Sequence, residues 1–357
     1  MEKVWRVVDY QEKYLESFLQ LFKDSYPRLN LGSRAFFKKI MLEGPSGKAI
    51  IKLAVNEPND VVGCYCLLPL VFVVGGRKLI GSLSLNTLVR PDYRNFGIFT
   101  KLAQEAFLAC QERKIDFTVG FPNQNSYYGF VHKLGFDTLG ELALLIKPIN
   151  FQGLVKYKTG IRLPRWVFYG GERLFNRKTP RINKDFQTIT KLEKESIDKF
   201  IKKYDRNQTN MLLTDYDYLN WRLDWPGKNY RFIAVKEDGA LMSYAITTEM
   251  EVGGIRNGLL VDFKILPGID EGWGYELLRL AQQHCCQSGV DLIGYLSVPG
   301  TREFKILKKC GFVICPKLLK PQPMLVVLKW HNPNVPPPHH LGQLEKWFWV
   351  MIDYDVA

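Results

Sequence analysis

One stretch of this 357-residue chain, Val89–Leu102, combines an arginine and a glycine where a backbone can bind phosphate. It follows the apolar run Leu79–Leu88, breaks at Pro91, and turns through Arg94 and Gly97 into a helical pattern. The N–H groups at the start of a helix point outward, and the helix dipole favours negative charge there. The turn therefore predicts an anion site, although it lacks the glycine spacings of the common nucleotide-binding loops.

The elements that position this turn form an ordered series in the first half of the chain. A strand and two helices come first, followed by three antiparallel strands, a helix, a strand, a helix and a final strand. This order predicts a mixed α/β layer. The first five predicted strands are Val4–Val8, Ala49–Val55, Val61–Val74, Lys78–Val89 and Phe117–Phe121.

The second half repeats the series. Pro91 and Gly135 are 44 residues apart, as are Pro267 and Gly311, so the two halves align at an offset of 176. A single period of about half the chain predicts tandem copies of one domain. We therefore expect an α/β (α+β) fold of two tandem domains, each a mixed, mainly antiparallel twisted sheet flanked by helices. The expected divisions are 1–148, a basic connector at 149–188, 189–330, and a Pro-rich loop with an aromatic tail at 331–357.

The composition indicates which partners and which cellular compartment to expect. The net charge of +13 favours polyanionic partners, and Lys147–Lys184 contains ten Lys or Arg residues but one carboxylate, Glu172. This segment is interpreted as a solvated connector or the lining of a cleft, with a membrane-surface helix as the alternative. Seven cysteines without metal-ligand spacing predict free thiols in a reducing compartment and no metal site. With no signal peptide or transmembrane segment recognisable, the expectation is a cytoplasmic protein.

The turn, the downstream Asn125 and Lys133–Phe136 (KLGF) together resemble the GNAT superfamily of acyl-CoA-dependent N-acyltransferases. In that family the turn binds the pyrophosphate of CoA, the preceding strand pairs with the pantetheine arm, and an asparagine lies near it. Phe99 stands where the family usually has a small residue. The resemblance implies acyl-CoA binding, with no metal, by Leu88, Val89, Arg94, Asn95, Phe96, Gly97, Ile98, Phe99, Thr100, Asn125 and Tyr128.

The second copy departs from this pattern. At the offset of 176, Arg94 maps to Asp270, Gly97 to Trp273 and Asn125 to Thr301. A carboxylate repels a pyrophosphate, so we expect this copy not to bind CoA.

The family's usual acid and base are missing from the first copy. Strand Gly81–Val89 holds no Asp, Glu or His, and Val131 replaces the usual tyrosine. Asp262 maps to Asn86 and could face the amine. The catalytic candidates are therefore Asn86, Thr87, Tyr128 and Asp262, with positioning and a water relay as the main contributions.

The segment Asp217–Leu223 and the tail resemble tandem acyltransferases of surface-polysaccharide synthesis. That resemblance implies an acceptor amine on a nucleotide-linked (dTDP- or UDP-) deoxysugar, receiving acetyl or a longer or hydroxylated acyl group. Trp221, Trp225, Trp347 and Trp349 could stack on it, with core packing as the alternative. Two rival functions remain: a peptide- or aminoacyl-tRNA-dependent cell-wall transferase, and a non-catalytic basic module on membranes or nucleic acid. The preferred interpretation involves no nucleic acid and leaves the oligomeric state open.

Overall fold

Two twisted sheets flanked by helices make up the protein. A computed structural model describes residues 4–27, 30–150, 152, 154, 187–204, 209–252, 254–317, 320 and 322–354. Most strand pairs are antiparallel, and two of the three parallel pairs occupy corresponding places in the two sheets. The predicted fold class is confirmed.

The strands follow the sequence pattern closely. The run Val61–Val74 is buried along almost its whole length, which explains its unbroken apolar sequence. The strands are β1 Trp5–Asp9, β2 Ile50–Asn56, β3 Val61–Val74, β4 Arg77–Val89, β5 Phe117–Gly120, β6 Asp137–Glu141, β7 Ala143–Pro148, β8 Gln187–Ile189, β9 Asn210–Leu212, β10 Arg231–Glu237, β11 Ala240–Val252, β12 Ile255–Ile265, β13 Leu292–Ser297, β14 Val313–Ile314, β15 Leu325–Trp330 and β16 Trp347–Phe348.

Each half of the chain contributes one or more strands to the sheet of the other half. The first has the order β1-β2-β3-β4-β5-β15-β6, and β9 extends it by pairing with β3 and β16. The second has the order β14-β7-β13-β12-β11-β10-β8. Strand β7, which ends at Pro148, thus lies between β13 and β14, while β15 lies between β5 and β6. Each sheet is therefore completed by a strand from the other half of the chain.

The helices cover both faces of the first sheet. The predicted helix Arg34–Leu42 begins as α-helix and widens into a π-type turn from Lys38. A similar turn, Gly129–Lys133, continues α4. The helices are α1 Leu15–Ser25, α2 Arg34–Phe37, α3 Ile98–Glu112, α4 Gln124–Tyr128, α5 Lys194–Tyr204, α6 Tyr216–Leu223, α7 Gly272–Gln287 and α8 Arg302–Lys309.

Two apolar cores result. One lies between α3 and the first sheet and includes Leu102 and Phe130. The other covers the opposite face, with Phe18 of α1, and continues without interruption into the second half around Phe263. The two halves therefore share a core as well as strands.

The basic connector lies mostly outside the described residues. Lys147, the first residue of the basic segment Lys147–Lys184, is in β7 with 2% of its surface exposed, and its Nζ donates to the Cys310 carbonyl and Gln282 Oε1. Lys147 is therefore a buried structural lysine, which corrects its assignment to a solvated face. Burial lowers its pKa. All seven cysteines are free thiols, as expected. Among the described helices, none has the length and apolarity needed to cross a membrane.

Candidate functional site

Strands β4 and β5 separate after only three residue pairs. Their parallel ladder runs from Gly81 with Phe117 to Leu83 with Val119 and then stops, although β4 continues to Val89. Beyond that point the two strands leave a gap in the sheet, which exposes unpaired backbone groups of β4. An extended ligand such as a pantetheine arm can pair with such an edge.

A bulge in β4 lies beside this gap. Cys64 of β3 pairs with Leu88 and Cys66 pairs with Leu85, so Asn86 and Thr87 together face a single residue. Asn86 has a φ of 49°, in the left-handed region that asparagine tolerates, and its carbonyl accepts a hydrogen bond from Cys64 Sγ. Thr87 Oγ1 is buried and makes no hydrogen bond. The structure thus brings Asn86, Thr87 and Leu88 together at the gap.

The candidate phosphate turn follows β4 directly in the sequence. Arg94 Nε donates to the Val89 carbonyl at 3.3 Å, which folds the turn back on the end of β4. Asn95 and Gly97 both have left-handed φ values, of 69° and 76°. Helix α3 begins at Ile98 with Gly97 as its N-cap, and no side chain caps it. The N–H groups of its first turn (Ile98, Phe99, Thr100) are thus available to an anion, while the half-exposed Phe96 lies on the turn.

Phe99 joins the turn to α4. Its ring packs against Tyr65 and Phe130, and a Cβ added at Gly129 would lie only 2.9 Å from it. The large side chain therefore faces the core, and its difference from the family pattern leaves the backbone of the turn available. This packing places α4 beside the start of α3.

The two candidates on α4 are both exposed. Asn123 caps the helix by accepting from the backbone N–H groups of Asn125 and Ser126. Tyr128 has 62% of its surface exposed, and its ring lies 4.7 Å from that of His132. Asn125 and Tyr128 are therefore exposed on α4, which packs against the start of α3 through Phe99.

Helix α7 shows the corresponding site in the second half. Asp270 Oδ1 accepts a hydrogen bond of 2.6 Å from the Gly272 N–H at the start of the helix. Trp273, in place of Gly97, is buried in the core. Glu271 adds a second carboxylate, and its pairing with Lys309 lowers its pKa. The first N–H of this helix is therefore occupied by a carboxylate, and a second carboxylate lies beside it.

Asp262 is a buried residue whose carboxylate is held by other residues of the core. It is fully buried, and Lys264 Nζ donates to both of its oxygens, at 2.8 and 2.7 Å. Tyr244 Oη and the Phe263 N–H donate to it as well. Because its oxygens are occupied and shielded from solvent, no amine can reach it as the sequence alignment suggested.

The strand exchange brings into this sheet a histidine whose position the local sequence pattern does not reveal. His331 follows β15, and its Nε2 lies 2.7 Å from Thr118 Oγ1, which lies 2.7 Å from Ser82 Oγ. Burial lowers its pKa to about 4, so its ring is neutral at pH 7. This chain of buried groups lies at the paired end of β4 and β5, where it holds the two strands together. Only knowledge of strand order could have placed His331 here.

The four tryptophans proposed for substrate stacking are core residues. Each is at most 6% exposed, so their packing alternative is the one observed for Trp221, Trp225, Trp347 and Trp349. A cavity of about 440 Å³ adjoins Trp225, but its lining includes no residue of β4, β5 or the turn. Its Lys39 is already paired with Asp224 at 2.6 Å. The gap therefore remains the better candidate for chemistry.

The first half of the chain is similar to a known protein family. Residues 6–139 match the family model of the acetyltransferase (GNAT) domain. The match covers less than half of the chain, and it supports an acyl-CoA-dependent N-acyltransferase enzyme. No curated protein matches the sequence.

Solved structures share the fold of the whole chain. A GCN5-related N-acetyltransferase from Anabaena variabilis is 13% identical, covering 92% of this chain and 73% of its own, with a TM-score of 0.63. A tandem GNAT protein of the clavulanic acid biosynthesis pathway is 12% identical, with 93% and 100% covered and a TM-score of 0.58. Saccharomyces cerevisiae N-myristoyltransferase with bound myristoyl-CoA is 12% identical, with 94% and 87% covered and a TM-score of 0.62.

Proposed function

We propose that this chain transfers an acyl group from acyl-CoA to the amino group of a nucleotide-linked amino deoxysugar, at the gap between β4 and β5. The observation that carries this proposal is the gap itself, which opens beside the uncapped start of α3. A ligand with a diphosphate at one end and an extended amide chain at the other matches both features. Acyl-CoA has this form.

Residues 1–148 would supply the acyl-CoA site, and 189–330 would form a second domain that binds no CoA. In the first, Arg94, Asn95, Phe96 and the N–H groups of residues 97–100 would hold the pyrophosphate, and Leu88 and Val89 the pantetheine arm. Asn125 and Tyr128 would lie along its outer side. The second domain's helix start carries Asp270, which supports its exclusion of phosphate.

In the reaction, the neutral amine attacks the carbonyl carbon of the thioester. The new C–N bond forms, the C–S bond breaks, and the CoA thiolate takes up a proton as the amine loses one. Thr87 Oγ1, buried without a partner beside the gap, is suited to donate a hydrogen bond to the carbonyl oxygen as charge develops on it. Asn86 shapes the bulge that brings Thr87 there. Asp262 is given no part in this step.

The acceptor assignment rests on resemblance and on charge. The net charge of +13 suits a sugar that carries a diphosphate. The acyl group can be acetyl or longer, because myristoyl-CoA is bound by one of the proteins with this fold.

The test begins with calorimetric titration of acetyl-CoA and continues with thiol release against dTDP- and UDP-linked amino sugars. We expect micromolar binding by the unmodified chain and none by the double variant Arg94→Glu, Gly97→Glu, because two carboxylates would face the pyrophosphate. Asp270→Ala is the matched control and should bind as tightly as the unmodified chain. Loss of binding in Asp270→Ala, with retention in the double variant, would assign the donor site to the second domain.

A further inference from the structure

The C-terminal segment, residues 347–354, lies between the two domains. Its first two residues form β16, which pairs in parallel with β9 at the edge of the first sheet. Its last turn, Met351–Asp353, contacts β12 and β13 of the second sheet. The segment therefore contacts both sheets within eight residues.

In the second sheet this segment occupies a gap equivalent to the first. The parallel ladder of β12 and β13 also has three pairs and ends at Leu259 with Gly294. Beyond it, Val350 forms an antiparallel bridge with Ser297 of β13. The Ile352 carbonyl then accepts hydrogen bonds from Tyr218 Oη at 3.2 Å and Arg222 Nε at 3.4 Å. The chain's own backbone thus fills the place that an acyl-CoA arm would take.

The same segment reaches the corresponding position of the first gap. Ser297 maps onto Phe121 at the offset of 176, and Phe121 lies two residues beyond the last paired residue of β5, Val119. The Phe121 ring is 4.9 Å from the ring of Tyr354 and 5.6 Å from that of Trp349. Here the contacts are between side chains, and no described strand takes the place of β5 beside β4 beyond Leu83.

The rings of Phe121, Trp349 and Tyr354 lie on the face of the first sheet that is opposite to α3. Alternate residues of a strand share a face, so Phe121 faces the same way as Val119 and away from Gly120. A Cβ added at Gly120 would lie 3.0 Å from Phe130, in the core under α3. Because the donor's phosphates would bind at the start of α3, the attacking amine has to approach from the other face. Phe121 and Tyr354 lie on that face and are half-buried.

We propose that the C-terminal segment completes the transfer site: it fills the second gap, and with Phe121 it forms an aromatic wall on the acceptor side of the first. This inference rests on the proposed function. The rings of Phe121 and Tyr354 would pack against the apolar face of the sugar that carries the amine. Trp349, which is 1% exposed, supports them from behind.

The test uses Phe121→Ala and Tyr354→Ala, with Tyr216→Ala as the matched control on a half-buried tyrosine of α6. Acetyl-CoA is titrated by calorimetry, and thiol release is then measured while the concentration of the best UDP-linked amino sugar is varied. We expect one acetyl-CoA per chain in all four proteins and a Kd that changes by less than about twofold. The KM for the amino sugar should rise about tenfold in the two wall variants and stay constant in the control.

Three results would count against the wall. Binding of two acetyl-CoA molecules per chain would mean that the second gap is open. An unchanged KM in both wall variants would mean that these rings do not contact the acceptor. Tyr354→Phe keeps the ring and should match the unmodified chain, so a raised KM there would show that ring packing is not the cause. Failure of the unmodified chain to bind acetyl-CoA would overturn the proposed function itself.

Discussion

At the scale of single residues, the carboxyl group of Asp353 makes the stability of the fold depend on pH. Its side chain is buried, Oδ2 accepts the Val350 N–H, and Oδ1 has no partner. Burial raises its pKa to about 7, with Asp262 acting in the same direction and Lys264 and Arg222 against it. An unfolded aspartate has a pKa near 4, so the folded state binds the extra proton between about pH 4 and 7. This group therefore makes the fold less stable as the pH rises through that range.

We accordingly expect Asp353→Asn to stabilise the protein at pH 8 and to leave it nearly unchanged at pH 4. The difference in the free energy of unfolding should be on the order of 3 kcal/mol between the two pH values. Urea denaturation at both values measures it. Asp217→Asn, whose side chain is 73% exposed, is the control and should show no such difference. A parallel pH dependence in the unmodified protein and Asp353→Asn would contradict the assignment.

The buried pair of Lys264 and Asp262 makes a second prediction at this scale. Lys264→Met leaves a buried carboxylate without its counter-charge and should cost about 3–5 kcal/mol of unfolding free energy. The double variant Lys264→Met, Asp262→Leu should recover much of that loss, because neither charge then needs a partner. Lys309→Met removes the lysine of an exposed pair with Glu271 and should cost little. Chemical denaturation of all three variants measures these losses of unfolding free energy. A double variant no more stable than Lys264→Met would refute this account.

Some residue-level features were readable from the sequence and others were not. The turn at Arg94–Gly97 and the helix after it were predictable because they are neighbours in the chain, and phosphate binding there stays a prediction. The fate of Asp262 also had a local signal, since Lys264 is two residues away and shares its face of the strand. His331 had none, because its contact with Thr118 depends on a strand order that no local pattern encodes.

At the scale of elements, β15 comes from the second half of the chain but is an internal strand of the first sheet. Val327 of β15 pairs with Gly120 on one side and Thr138 on the other, and is fully buried. Val327→Pro removes a ladder N–H from an internal strand and should cost at least about 3 kcal/mol. Thr188→Pro, on the edge strand β8, should cost less. Thermal unfolding compares the two variants, and equal losses would argue against an internal position for β15.

The strands themselves were predicted well, and the exchange was not. Strand periodicity states which residues share a face, whereas the partner of a strand depends on the whole chain. The sequences ALLIKP of β7 and LVVLKW of β15 are similar apolar runs, so each could serve in either sheet. Their actual places follow from tertiary packing.

At the scale of the whole molecule, each half lacks a strand that the other supplies. Fragments 1–170 and 171–357 should therefore fail to fold separately and should form a one-to-one complex when expressed together. Size-exclusion chromatography and far-UV circular dichroism would measure this. An isolated fragment that unfolds cooperatively on its own would contradict it, since its sheet would then be stable with an internal strand missing.

The exchange also has a consequence for how the chain is made. Strand β6 ends at Glu141, but its neighbour β15 begins only at Leu325. At about 5–20 residues per second, the ribosome needs roughly ten to forty seconds to bridge that interval. During this time β15 has not yet been made, so the edges of β5 and β6 are unpaired and can pair with other chains. The nascent chain therefore exposes unpaired strand edges until β15 has left the ribosome, and slower translation of residues 142–324 should increase its dependence on chaperones.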